Sequence, residues 1–114
     1  MPEPLGPKAG ELSALWRAKQ LEYSWTLTAM GQSASADFWQ LTQRALDFAL
    51  ERFDVREPAL RSALLDAYRT LNAFAEVPDT LSQLKATGHR TAIFTNGTRG
   101  MIEDAIRAAP LGRL

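Results

Sequence analysis

The chain has no cysteine. That excludes disulfides, thiol catalysis and cysteine-based zinc sites, although it does not identify a compartment. A single histidine, His89, leaves too few imidazoles for a multi-histidine metal site or a conventional His-dependent triad. There is no net charge either: 13 basic residues balance 13 acidic ones, which removes any electrostatic case for nucleic acid or an acidic membrane surface. No apolar run approaches the length of a membrane span, and residues 1–10 lack the apolar centre of a signal peptide. A cytoplasmic location is therefore the default expectation. What remains is 114 residues, 46% hydrophobic and 23% charged, which is one soluble domain's worth of chain with enough apolar content for a core.

Residues 1–10, with three prolines and two glycines, read as an irregular leader. A helical pattern then runs over 11–30, with Leu12, Leu15, Trp16, Lys19, Tyr23, Leu27 and Met30 at helical spacing; the Lys19 stem can lie along that stripe. Ser35 is the expected N-cap of a second helix running to about 53, whose stripe is Phe38, Leu41, Ala45, Phe48, Ala49 and Phe53. Asp54, with Glu57 three residues on and Pro58 after it, has the pattern of a cap for a third helix reaching about 73. Val77-Pro78-Asp79 opens a fourth helix, ended by Gly88 as C′ residue. A fifth is expected over 99–108, stopped by Pro110 and Gly112.

Between the last two helices lies Arg90-Thr91-Ala92-Ile93-Phe94-Thr95-Asn96-Gly97-Thr98, the pattern of a buried strand feeding a tight turn and then a helix. Strand ends of open α/β sheets carry ligand sites. A Thr hydroxyl, an Asn amide and the free N–H groups of a helix's first turn suit an anion. The same spacing also fits a plain strand-to-helix turn with Thr98 as N-cap. The expected fold is thus mostly α: three long helices forming a bundle, then a partial Rossmann-like α/β unit of helix–strand–helix. One strand has nothing to pair with in a single copy of the chain. Its open edge and the apolar helix faces admit a homodimer or a non-catalytic interaction module.

The run Leu15-Trp16-Arg17-Ala18-Lys19-Gln20-Leu21-Glu22-Tyr23-Ser24-Trp25 closely resembles the start of the cap domain in the (S)-2-haloacid dehalogenases, the type II haloacid dehalogenases. The likeness continues through Asp37-Phe38-Trp39, residues 45–50, Leu65-Asp66-Ala67-Tyr68 and Glu76-Val77-Pro78. It ends in Ala92-Ile93-Phe94-Thr95-Asn96-Gly97, which looks like the second motif of the haloacid dehalogenase superfamily. The resemblance implies a helical cap over 11–75 and a fragment of the Rossmann-like core over 76–114. It also implies hydrolytic removal of halide from short (S)-2-haloalkanoic acids through an aspartyl ester, with no metal and no cofactor. Arg17 matches the family's halide-binding arginine. Thr95 and Asn96 match its substrate-carboxylate pair, Thr standing where relatives carry Ser. Leu21 and Phe38 match the apolar wall around the alkyl group. Ala18 stands where relatives often carry Gln, so one polar contact differs.

The family's nucleophile motif, an Asp-x-Tyr-Gly-Thr-like segment after an apolar strand, has no counterpart here. Asp37, Asp47, Asp54, Asp66, Asp79 and Asp104 all fall in helical or capping contexts. The resemblance therefore predicts a chain shortened at both ends, holding binding residues without the nucleophile and so without turnover. A superfamily phosphatase would instead need Mg²⁺ and an Asp-x-Asp motif.

Overall fold

Spacings of four residues build the first helix, where Leu12, Trp16 and Gln20 stack on one face and are buried. In the computed structural model, which describes residues 3–109, this α1 runs over Ala9–Ala29. It begins two residues before the expected start. Ahead of it a 3-10 segment spans Glu3–Lys8 and kinks at Gly6, whose φ of 54° suits glycine. The rest of the expected leader, Met1 and Pro2, lies outside the described residues, as do Pro110 and Gly112.

Helix α2 spans Phe38–Arg52. Its N-cap is Asp37, not Ser35. The Asp37 carboxylate accepts from Gln40 N at 2.8 Å, and Gln40 Oε1 accepts from Asp37 N at 2.9 Å. A reciprocal capping box satisfies two orphan backbone donors where a lone serine would satisfy one. Two adjoining rows of α2 are buried: Leu41, Ala45 and Ala49, with Thr42, Leu46 and Leu50. Phe48 falls just outside them, beside Leu41, and stays 39% exposed, contrary to the expected stripe. α1 and α2 pack against each other, with Leu12, Ala45 and Leu46 fully buried. Each buried leucine contributes about 1.5–3 kcal/mol relative to an exposed one. Trp25, near the end of α1, is 65% exposed.

Two of these helix ends share one device. After α1, Gly31 takes φ 70°, its N–H bonds Thr28 O at 3.1 Å, and Gln32 N bonds Leu27 O at 2.7 Å. After α2, Asp54 takes the same role with φ 55°: Asp54 N bonds Glu51 O at 3.0 Å and Val55 N bonds Leu50 O at 2.8 Å. Both are Schellman closures. Asp54 thus ends α2 and does not cap the next helix, which corrects the expectation from its spacing to Pro58. Helix α3, Pro58–Arg69, ends before the expected 73. It is tied to α2 by Arg61, whose Nε and Nη2 donate to the two carboxylate oxygens of Asp47 at 2.6 and 3.2 Å. Those bonds hold the Arg61 pKa above its ordinary value.

One compact unit ends at Asp66 and a second begins at Ala67. The second holds α4, Val77–Ala86, and α5, Arg99–Ala108. Gly88 is the C′ residue of α4, as expected, with φ 80° and a third Schellman closure through His89 N and Leu84 O at 2.9 Å. Thr98 caps α5, its hydroxyl accepting from Met101 N at 3.2 Å. Arg69 and Arg107 both bind Asp104, at 2.6 and 3.1 Å.

The architecture is mostly α, with five α-helices and no strand among the described residues. The expected strand over 90–94 is an irregular segment, and the helix–strand–helix unit is helix–loop–helix. A strand exists only as a rung in a ladder, and no other segment among the described residues offers the neighbouring backbone. Ile93 and Phe94 are correspondingly exposed.

Candidate functional site

Arg17 sits on α1 one position after the buried Trp16, on the exposed side of the helix. Its Nη1 donates to Gln20 Oε1 at 2.9 Å. It forms no ion pair with any described residue, whereas Lys19, two positions on, pairs with Glu22 at 2.8 Å. Lys19 Nζ also lies 4.6 Å from the centre of the Phe48 ring. Its hydrogen bond to Glu22 raises the Lys19 pKa above the ordinary 10.5, against a smaller opposing effect of burial and with help from the charges of Glu22 and Tyr23. Of the two neighbouring cations, one is paired with a carboxylate and the other has no carboxylate partner among the described residues.

Behind Arg17 a chain of hydrogen bonds leads into the core. Gln20 is 1% exposed and Thr42 0%. Gln20 Nε2 donates to Thr42 Oγ1 at 2.8 Å, and Thr42 Oγ1 donates to Phe38 O at 2.7 Å. The Trp16 indole N–H donates to Thr42 O at 2.9 Å, fixing α1 against α2 beside this chain. Leu21 and Phe38, the predicted apolar wall, are both half-buried. The first unit therefore joins Arg17 to the start of α2 at Phe38 through two residues, Gln20 and Thr42, that were absent from the predicted site. The signal for Gln20 was its place four residues after Trp16 on the Leu12 row, where a polar side chain has to find partners.

Thr95 and Asn96 belong to the second unit. Thr95 Oγ1 accepts from Gly97 N at 3.0 Å, a side-chain-closed turn that leaves the hydroxyl hydrogen to donate elsewhere. Asn96 is exposed just before α5. Of the amides expected to form an anion cradle, those of Gly97 and Met101 are occupied by Thr95 and Thr98. His89 is exposed, with Nδ1 2.8 Å from Thr87 Oγ1. An open groove of about 420 Å³ lies elsewhere, lined by Glu22, Tyr23, Thr26, Leu27, Leu41 and Arg44, and contains none of the predicted site residues. No cluster of three metal-binding side chains occurs among the described residues, and no described helix is long and apolar enough to cross a membrane.

No family model matches the sequence. Individual proteins do. The chain is 54% identical over 108 residues to (S)-2-haloacid dehalogenase 1 of Pseudomonas sp. (strain CBS-3), covering 94% of this chain and 47% of that one. It is 44% identical over 111 residues to (S)-2-haloacid dehalogenase 4A of Burkholderia cepacia, covering 96% and 47%. Among solved structures, a dehalogenase crystal structure superposes with TM-score 0.87 at 45% identity over 93% of this chain and 46% of its own. The L-2-haloacid dehalogenase of Xanthobacter autotrophicus with chloropropionic acid covalently bound superposes with TM-score 0.81 at 30% identity, covering 96% and 44%. The chain thus spans about half the length of the relatives it matches.

Proposed function

Since the chain belongs to the (S)-2-haloacid dehalogenase family over the stretch it shares with its relatives, we propose that it supplies the halide-binding and carboxylate-binding groups of a hydrolytic dehalogenation. The substrates are short (S)-2-haloalkanoic acids and the products 2-hydroxy acids. In this reading an aspartate oxygen attacks C2 as the carbon–halogen bond breaks. The halide departs with the bonding pair towards Arg17. Water then attacks the ester carbonyl, releasing the hydroxy acid and regenerating the carboxylate. The chloropropionic acid covalently bound in the Xanthobacter autotrophicus relative supports an ester route.

Arg17 carries the reading. It is an exposed guanidinium with no carboxylate partner among the described residues, held by a neutral amide. Positive charge placed where leaving-group charge develops is what transition-state stabilisation needs. We assign the Thr95 hydroxyl and the Asn96 amide to the substrate carboxylate, and Leu21 and Phe38 to its alkyl group. The aspartates support a nucleophile supplied by none of these 114 residues. Asp37 caps α2, Asp47 binds Arg61, Asp54 binds Arg56 and Asp104 binds two arginines. Asp79 sits in the first turn of α4 and Asp66 on α3. The chain alone is accordingly inactive.

The test is a chimera in which residues 11–109 replace the matching stretch of a full-length relative. Release of halide from 2-chloropropionate supports the reading; a folded chimera with no such activity contradicts it.

A further inference from the structure

The hydrogen-bond chain behind Arg17 has only one consistent direction. A hydroxyl has one hydrogen, and that of Thr42 goes to Phe38 O at 2.7 Å. Towards Gln20, Thr42 Oγ1 can therefore only accept, so the Gln20 NH₂ faces it at 2.8 Å. The opposite end of the amide, Oε1, is then presented to Arg17 at 2.9 Å. Flipping the amide would set acceptor against acceptor at Thr42 and donor against donor at Arg17. The direction is anchored at a backbone carbonyl of α2 and runs outward to the guanidinium. Gln20 and Thr42 are at least 99% buried, so neither end can exchange its partner for bulk water.

A neutral acceptor orients a guanidinium without cancelling its charge. A carboxylate in the same place would orient it and neutralise it. The protein uses carboxylates for Arg61, Arg69 and Arg107, yet an amide for Arg17. We propose that Gln20, braced by Thr42, is a positioning residue that holds Arg17 as an oriented, uncompensated cation for an anion. This rests on the reading of Arg17 as the halide ligand. Gln20 does not touch the substrate in this scheme; it acts through Arg17.

The test uses the 114-residue chain labelled with ¹⁵N, following the arginine side-chain Nε–H signals during titration with sodium bromide at fixed ionic strength. Arg99, whose side chain is 93% exposed, is the internal control. In the wild type, Arg17 Nε is more ordered than Arg99 and responds to bromide selectively. Thr42→Val keeps the shape but removes the brace, and should loosen Arg17 and weaken its bromide response about tenfold or more, the scale of one charged hydrogen bond. Gln20→Leu should do the same. Gln20→Glu separates orientation from charge: Arg17 stays ordered while its bromide response is lost. If Gln20→Leu fails to fold by circular dichroism, the isosteric Thr42→Val decides. An undiminished bromide response in folded Thr42→Val, or Arg17 no more ordered than Arg99, overturns the positioning role alone. No selective response of Arg17 in the wild type overturns the halide reading on which it stands.

Discussion

Gln20 Nε2 and Thr42 Oγ1 lie 2.8 Å apart, on two helices, in a part of the core that water does not reach. A pair like this is costly to half-remove. Thr42→Val leaves a buried NH₂ without its acceptor and should destabilise the chain by about 1–3 kcal/mol. Replacing both residues, as Gln20→Leu with Thr42→Val, should cost less than the sum of the single substitutions, because no orphan group then remains. Urea unfolding of the four chains gives that coupling directly. Additive losses would show that the two side chains do not depend on each other.

The helix ends carry a second prediction. Asp54 occupies the left-handed position that Gly31 and Gly88 occupy elsewhere. Asp54→Gly should therefore stabilise the chain by about 0.5–1 kcal/mol, its ion pair with the exposed Arg56 being worth little. Gly88→Ala should destabilise by about 1–2 kcal/mol through backbone strain alone, since a Cβ there meets nothing within 4 Å. Thermal melts of both variants check the opposite signs.

Part of this architecture was legible in the sequence because local chemistry decides it. Thr98 as a cap and Gly88 as a C′ residue follow from side-chain reach and from φ, which neighbours in the chain fix. Asp54 misled because an acidic residue shortly before a helix also suits a helix end when it can adopt positive φ. The apolar run over 92–94 misled more deeply. Its pattern is that of a strand, but pairing is a property of two segments, and only one is present among the described residues. Of the candidate site, Arg17, Leu21 and Phe38 came from resemblance, whereas Thr95 and Asn96 were also marked by the turn-and-helix pattern that follows the apolar run. Gln20 and Thr42 came from neither, because a lone glutamine or threonine on a helix reads as surface until its row is seen to continue a buried one.

The Lys19–Glu22 pair gives a pH prediction. Folding raises the Lys19 pKa, so the pair's small contribution is fully present below the ordinary value of 10.5 and is lost as pH climbs above it. The stability difference between the wild type and Glu22→Gln should be flat from neutral pH to about 10, then shrink. A difference that grows with alkalinity would give the opposite sign and exclude the pair as its source.

The isolated chain should release no chloride from 2-chloropropionate. Its aspartates are engaged as caps or ion-pair partners or lie on helices, so none is placed as a free nucleophile. Ion chromatography after repeated purification is sufficient. Chloride release that follows the protein through each purification step would contradict the assignment.

The central claim is that Arg17, and not its neighbour Lys19, meets the departing halide. Two positions on a helix are about 200° apart, so the two cations face different surroundings. Lys19 is spent on Glu22 and Phe48, whereas Arg17 is held by Gln20 with its charge unopposed. The most direct measurement is halide release by the chimera of residues 11–109 in a full-length relative, comparing Arg17→Ala with Lys19→Ala. The account predicts a loss of about a hundredfold or more in rate for Arg17→Ala, and only a modest loss, through packing, for Lys19→Ala. Equal losses from the two substitutions in folded chimeras would mean that Arg17 is not the halide-binding residue.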